Sequence, residues 1–120
     1  DFCLSRGLGD VYKRQTLRGL SFTKVYCDMS SKTREEGGLY ASTVCPGYDD
    51  RKIREPGLLI PREDGHYYRM CWKAARECKA DWILVTSWNE WFEGTEIEPS
   101  LEYGKDYIYL TKQNVKSYKG

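Results

Sequence analysis

The sequence predicts an α/β fold made of two strand–helix units. Two short apolar runs have the length of β-strands, at residues 39–45 (LYASTVC) and 82–86 (WILVT). Each run is followed along the chain by a segment whose apolar residues recur at helical spacing. Because strands that alternate with helices form parallel sheets with right-handed crossovers, the order βαβα indicates this fold class.

The first half of the chain contains the first strand and a long irregular stretch. Residues 16–28 fit a short strand or the flank of a helix equally well. Residues 39–45 are rich in side chains that favour β-structure, which predicts a short buried strand. Pro46 and Gly47 end that strand, and Pro56 and Pro61 keep the following segment irregular.

The second half contains a helix, the second strand and a final helix. Asp64 can cap a helix that begins near Gly65 or His66. The apolar stripe of this helix consists of Tyr67, Met70, Cys71, Ala74 and Cys78. The continuous apolar run at 82–86 is typical of a strand that is covered on both faces. A last, less regular helix is predicted from the spacing of Tyr107, Leu110, Asn114 and Tyr118.

The expected domain organisation is a short foreign segment followed by part of a larger domain. Residues 1–15 (DFCLSRGLGDVYKRQ) resemble the translation of a transposase-type sequencing adapter, and we expect them to be an adapter-derived artefact. Residues 16–120 contain two strand–helix units, and two strands do not form an independent sheet core. We therefore expect residues 16–120 to be a fragment of a larger α/β domain.

Composition excludes several classes of function. The 120 residues have a formal net charge of +1, which leaves no basic surface for nucleic acid. No apolar run approaches the roughly 20 residues that span a bilayer. There is one histidine, His66, and no C-x-x-C motif, so a Cys/His zinc site is not expected. We expect buried thiols at Cys27, Cys45, Cys71 and Cys78, with a disulfide as the less favoured alternative.

The candidate catalytic side chains lie in residues 86–100 (TSWNEWFEGTEIEPS). This segment directly follows the second strand, at the end where parallel α/β folds build active sites. Its notable residues are Glu90, Glu93, Glu96 and Glu98 among Trp88, Trp91 and Phe92. Residues three apart on a helical turn have Cβ atoms about 5–6 Å apart, and retaining glycosidases hold their carboxyl pair at about 5–5.5 Å. Glu90 and Glu93 are therefore candidate catalytic carboxylates; the simpler alternative is a solvated acidic loop whose tryptophans pack in the core.

Several nearby side chains are candidates for binding a sugar. Trp88 and Trp91 offer flat apolar faces for sugar rings, and Asn89 can form hydrogen bonds with hydroxyls. Tyr48 and Arg54 follow the earlier strand and lie at the same end of the sheet. We expect them either to contact substrate or to hold the glutamate segment through ion pairs. Glu98 is expected to bind Arg54 or a backbone N–H, or else to touch a sugar.

Several motifs together resemble glycoside hydrolase family 99. WNEWFEGTEIEPS is similar to the family motif [FW]NEWHEGTQIE, and residues 46–54 (PGYDDRKIR) are similar to its PGY-D-x-x-x-R segment. Residues 64–68 resemble its R-x-x-G-x-Y-Y helix start, so that the match covers residues 40–111 in the expected order. The resemblance implies a (β/α)₈ barrel of the TIM type, of which this chain is the C-terminal part with the last two strand–helix units. Such a fragment, lacking about six of the eight strands, is expected to be incomplete for activity.

The resemblance also implies an activity. Known members of the family are retaining endo-α-mannosidases, so the implied substrate is an oligosaccharide or polysaccharide with α-mannosyl linkages. Glu90 then maps to a base that acts on the sugar's own 2-hydroxyl and gives a 1,2-anhydro intermediate. Glu93 maps to the general acid, and then base, at the leaving oxygen. This chemistry requires no cofactor and no metal.

Two positions depart from the family motif. Phe92 stands where the family has His, and Glu96 stands where it has Gln. These departures concern the substrate rather than the fold. A related barrel family found with polysaccharide-assembly proteins has a similar WNEW-x-EG tail, so a glycan-assembly protein or glycosyltransferase is one alternative. A non-catalytic glycan-binding domain is the other.

Overall fold

The computed structural model of the protein describes residues 22–120. The segment expected to be adapter-derived, residues 1–15, lies outside these residues. The described chain forms two compact units. The first contains residues 22–44 and 70–84, and the second contains residues 45–69 and 85–120.

The first unit begins with helix α1 (Phe22–Glu35), which accounts for much of the segment that the sequence left ambiguous. Its inner face is buried at Tyr26 and Ser30. The Tyr26 hydroxyl donates to the carbonyl of Thr43 at 2.8 Å, and the Ser30 hydroxyl donates to the carbonyl of Cys78 at 2.9 Å. These two bonds fix α1 against strand β1 and against the end of the next helix.

Strands β1 (Ala41–Val44) and β4 (Trp82–Val85) pair in a two-stranded sheet. The carbonyl of Tyr40, just before β1, accepts from the N–H groups of Asp81 and Trp82 at the start of β4. Both strands therefore begin at the same end and run parallel, connected through helix α2 (His66–Glu77). This arrangement confirms the predicted α/β class.

Among residues 22–120, strand β4 has one exposed face, whereas its continuous apolar run predicted a strand covered on both faces. Trp82 is 64% exposed and Leu84 is 50% exposed, whereas Ile83 and Val85 are half-buried. Because successive side chains of a strand point to opposite faces, only one face of β4 is partly covered here.

Cys27 and Cys78 form a disulfide, so the expectation of a thiol at both positions is wrong. Helix α2 ends at Glu77, and Cys78 therefore leaves the apolar stripe on which the expectation rested. Its carbonyl is bonded to Ser30 of α1, one turn beyond Cys27, and the two cysteine Cα atoms lie 4.6 Å apart. Cys45 and Cys71 are buried thiols, as predicted.

The second unit contains a small hairpin that the sequence did not predict. Strands β2 (Tyr48–Asp49) and β3 (Leu59–Ile60) are antiparallel, with Tyr48 opposite Ile60 and Asp49 opposite Leu59. Strands of two residues show no alternation that a sequence pattern can detect. The PGYDDRKIR motif (residues 46–54) includes strand β2 and the start of the hairpin connection, and it lies beside the segment that follows β4.

Two helices meet in the second unit. Helix α2 begins at His66, as predicted, after a 3₁₀ turn at Glu63–Gly65 that contains Asp64. The final helix α3 (Asp106–Lys119) confirms the last predicted element, and the Tyr68 and Thr111 hydroxyls are hydrogen-bonded at 2.8 Å. Among residues 22–120, no helix has the length and apolar character needed to cross a membrane.

Candidate active site

The residues that follow β4 form a compact loop, which we call the glutamate loop (residues 87–98). Main-chain bonds close it: Ser87 N–H donates to Thr95 at 2.8 Å, Ile97 N–H to Ser87 at 2.9 Å, and Glu98 N–H to Trp88 at 2.9 Å. A 3₁₀ turn at Trp91–Glu93 forms its tip. The loop is therefore ordered by its own backbone at the end of a strand.

Gly94 lets the glutamate loop approach strand β2. Its φ of +63° lies in the left-handed region, which favours glycine. A Cβ at this position would lie 3.0 Å from the Asp49 nitrogen and 3.2 Å from its carbonyl oxygen. No larger residue fits there without moving backbone, which gives a physical reason for the Glu-Gly pair in the motif.

Glu93 is buried and is held by an arginine. It is 9% exposed, and its Oε1 accepts from Arg54 Nη2 at 3.1 Å. Arg54 Nη1 donates in turn to the Tyr48 hydroxyl at 2.7 Å. The structure therefore brings together three of the residues predicted for the site, with Arg54 as the link between the hairpin and the glutamate loop.

Asp50 completes this network and was not among the predicted site residues. It is 5% exposed and accepts from Arg54 Nη1 at 2.9 Å, from the Tyr48 hydroxyl at 2.8 Å and from Leu58 N–H at 2.7 Å. Burial raises the pKa of Asp50, but these hydrogen bonds lower it by more, so that its pKa lies below the ordinary aspartate value. An ionised Asp50 thus orients Arg54 toward Glu93. The signal in the sequence was an acidic residue four positions before the motif arginine.

Glu90 occupies a different environment from Glu93. Its side chain is exposed, and its N–H donates to the Ser87 hydroxyl at 3.0 Å. Its carbonyl accepts from the N–H groups of Glu93 and Thr95 at 3.3 and 3.4 Å. The backbone of Glu90 therefore supports the turn, while its carboxylate is open to solvent.

The aromatic side chains of the glutamate loop are not packed in a core. Trp88 is 53% exposed, Trp91 is 47% exposed and Phe92 is 73% exposed. Trp91 Nε1 donates to Glu98 Oε2 at 3.0 Å, which fixes the orientation of the indole ring. This bond to Trp91 was not among the expected protein partners of Glu98, which were Arg54 or a backbone N–H; contact of Glu98 with a sugar stays a prediction. Asn89 is exposed, as sugar contact requires.

A buried ion pair lies behind the loop. Arg62 Nη2 is 3.1 Å from Glu96 Oε2, and the two residues are only 8% and 6% exposed. Burial raises the pKa of Glu96, and Arg62 opposes this rise while nearby Glu102 adds to it. Neither Arg62 nor Glu96 was predicted as a site residue, because an arginine and a glutamate 34 positions apart give no local signal.

A cavity of about 640 Å³ lies beside the loop and is lined in part by Trp91, Phe92 and Glu96. Glu90 and Glu93 do not line it. Within residues 22–120, no group of three or more His, Cys, Asp or Glu side chains could hold a metal ion.

The chain was compared with known proteins. Residues 4–118 match the family described as glycosyl hydrolase family 99. A "Glycoprotein endo-alpha-1,2-mannosidase-like protein" of Danio rerio is 31% identical over 109 residues, which cover 82% of this chain and 23% of that protein. A "Glycoprotein endo-alpha-1,2-mannosidase" of Rattus norvegicus is 28% identical over 103 residues, which cover 82% of this chain and 22% of that protein. The chain thus spans less than a quarter of the length of these relatives.

A solved structure also resembles the chain. It is the GH99 endo-alpha-mannosidase from Bacteroides thetaiotaomicron, with a TM-score of 0.74 and 33% identity, over 81% of this chain and 33% of that one. The α/β fold of this chain therefore agrees with the solved structure. This chain belongs to glycosyl hydrolase family 99.

Proposed function

We propose that this chain forms the acid–base part of a retaining endo-α-mannosidase, which cleaves α-mannosyl linkages inside glycans or polysaccharides. The observation that carries the proposal is the buried Glu93 carboxylate held by Arg54 at the tip of a loop after β4. Glu90 lies three residues earlier in a solvent-exposed environment. Two carboxylates in unlike surroundings can take different roles at one glycosidic bond.

The proposed reaction has two steps. In the first, Glu90 takes the proton of the sugar 2-hydroxyl, whose oxygen attacks C1, while Glu93 gives its proton to the leaving oxygen as the glycosidic bond breaks. In the second, Glu93 takes a proton from water, the water oxygen attacks C1 and opens the 1,2-anhydro ring, and Glu90 returns its proton to O2. The guanidinium of Arg54, 3.1 Å from Glu93 Oε1, keeps the carboxyl group in place through both steps.

We propose roles for the other predicted site residues from their exposure and contacts. Trp88 and Trp91 are exposed rings that we assign to sugar stacking, and Asn89 is assigned to a sugar hydroxyl. We assign Tyr48 to holding Arg54, since their side chains are 2.7 Å apart. Arg54 is 48% exposed, and so it can contact substrate as well as Glu93.

The fold proposal follows from the parallel pair β1 and β4. We propose that they are the last two strands of a (β/α)₈ barrel, with the hairpin and the glutamate loop at the C-terminal ends of these strands. Barrel enzymes build their active sites at that end. Activity is accordingly expected from a protein that contains the remaining barrel strands as well.

The test is hydrolysis of an α-mannosyl oligosaccharide by the protein that carries this chain. Glu93→Gln and Glu90→Gln are each expected to lower kcat by about 10²–10⁴-fold, the range typical of general acid–base groups. Glu77→Gln, on an exposed face of α2, is the matched control and keeps full activity. NMR of the first-formed product should show retention at C1. Full activity in either site variant would refute the assignment.

The alternatives give different outcomes in the same experiment. A glycan-assembly protein would transfer sugar from a nucleotide-sugar donor without hydrolysing α-mannosides. A glycan-binding domain would bind the oligosaccharide with no turnover, and Glu93→Gln would leave its affinity unchanged.

A further inference from the structure

Arg62 is an almost fully buried arginine. It is 8% exposed, and its guanidinium carbon lies 4.1 Å from the ring centroid of Tyr103 and 4.5 Å from that of Tyr107. A Cβ placed on Gly47 would lie 2.7 Å from the Arg62 Cγ, so the aliphatic stem is also closely packed. A buried guanidinium in contact with two aromatic rings has little freedom to reorient.

This donor is directed at the main chain of the glutamate loop. Arg62 Nη2 donates to the carbonyls of Gly94 and Glu96, at 3.2 and 3.0 Å. These carbonyls belong to the segment that directly follows Glu93, whose own N–H is bonded to Glu90. A displacement of residues 94–96 would therefore move Glu93 as well.

We propose that Arg62 is a positioning residue, which fixes the backbone after Glu93 and thereby the direction of the Glu93 carboxyl. The inference rests on the proposed role of Glu93 as acid and base. Arg54 holds the carboxylate from the hairpin side, and Arg62 holds the main chain from behind the loop. Arg62 acts through Glu93 and not on the substrate.

Glu96 makes the role of Arg62 testable. Its carboxylate offsets the buried guanidinium charge, but the two anchoring bonds run to carbonyl oxygens that any residue at position 96 would supply. Removing Arg62 alone would leave the Glu96 carboxylate buried without a cation, which is strongly destabilising. The informative variant therefore combines Arg62→Leu with Glu96→Gln, and Glu96→Gln alone serves as its reference.

The first measurement is of kcat and KM for α-mannoside hydrolysis. The double variant is expected to have kcat lowered by about 10²-fold, the cost of misplacing a reacting group by about 1 Å, while KM stays within about two-fold of the reference. Arg69→Leu is the matched control, because Arg69 is an exposed arginine in the first turn of α2 that donates to the Asp64 carbonyl, which lies outside the glutamate loop. It should retain full kcat.

A second variant covers the case in which the double variant does not fold. Arg62→Lys keeps the positive charge beside Glu96 but loses the planar fork that reaches two carbonyls. We expect it to fold, as judged by far-UV circular dichroism, and to show a smaller loss of kcat with KM again unchanged. Wild-type kcat in Arg62→Lys, together with an unfolded double variant, would overturn the proposal.

A third measurement does not depend on activity. Trp91 lies in the same turn, so in protein labelled with 5-fluorotryptophan its ¹⁹F resonance, assigned with Trp91→Phe, reports the turn's position. The resonance should shift or broaden in the double variant and stay in place in Glu96→Gln. If the protein cleaves no α-mannoside but the resonance shifts, the proposed function fails and the anchoring by Arg62 stands. If kcat and the resonance are both unchanged in the double variant, Arg62 does not position the turn.

Discussion

Replacing Asp50 by Asn tests the network that holds Glu93. Asn can still accept from Leu58 N–H through its Oδ1, but its NH₂ group cannot accept from the Arg54 guanidinium or from the Tyr48 hydroxyl, which already accepts from Arg54. The lost bond between Tyr48 and a buried carboxylate costs about 1.5–3 kcal/mol of unfolding free energy. The half-exposed Arg54 adds little to the unfolding free energy, because ion pairs that are open to solvent contribute little.

The stabilisation that Asp50 contributes depends on pH. The pKa of Asp50 lies below the ordinary value of 3.8, because burial, which raises it, is outweighed by the bonds from Leu58, Arg54 and Tyr48. The unfolded state then binds more protons in the window between the folded pKa and 3.8. The stabilisation by Asp50 is therefore complete above that window and is lost as the pH falls through the folded pKa.

The assay is urea unfolding of wild type and Asp50→Asn at pH 7 and again below pH 3.8. We expect a difference of about 1.5–3 kcal/mol at pH 7 that shrinks at the lower pH. Asp49→Asn is the matched control, because Asp49 pairs with the exposed Arg51 and its loss should change stability little. Equal urea midpoints for Asp50→Asn and Asp49→Asn at pH 7 would refute the reasoning.

Three further predictions concern single features of the fold. Replacing Cys27 and Cys78 by Ser removes a cross-link between residues 51 positions apart and should lower the unfolding free energy, measured in urea, by about 4 kcal/mol. Gly94→Ala places a Cβ 3.0 Å from the Asp49 nitrogen at a φ of +63°, so it should lose at least about 1 kcal/mol of stability together with most of the activity. Burial raises the pKa of Glu96 above its ordinary 4.5, so its stabilisation is lost as the pH rises through the folded value. In thermal unfolding, the stability of wild type relative to Glu96→Gln should therefore be higher at pH 4 than at pH 7.

Elements that leave a stripe or a run of apolar residues in the sequence were predicted, and elements that leave neither were missed. The helix from His66 and the two strands were predictable because a long apolar stripe or run leaves a local pattern. The two-residue strand at Tyr48 is too short to leave such a pattern. The apolar residues before Asp28 fitted the spacing of a strand and that of a helix equally well. The pairing of Cys27 with Cys78 depends on how α1 packs, which spacing alone does not report.

The candidate site was predictable in part for the same reason. Glu90 and Glu93 stand in one short motif, and both belong to the glutamate loop. Arg54 was predicted as a neighbour of the loop but with two roles left open, and its bond to Glu93 supports the holding role. Arg62 was missed, because its contacts with the loop come from residues more than 30 positions away.

The glutamate loop separates the residues that shape it from those that face outward. Its form rests on main-chain bonds, on Gly94 and on a guanidinium that binds carbonyl oxygens, whereas positions 88, 89 and 92 are exposed. Side chains at these three positions can therefore change during evolution without altering the bonds that shape the glutamate loop. A library randomised at positions 88, 89 and 92 should retain folded members at high frequency, and selection among them offers a route to new glycan preferences.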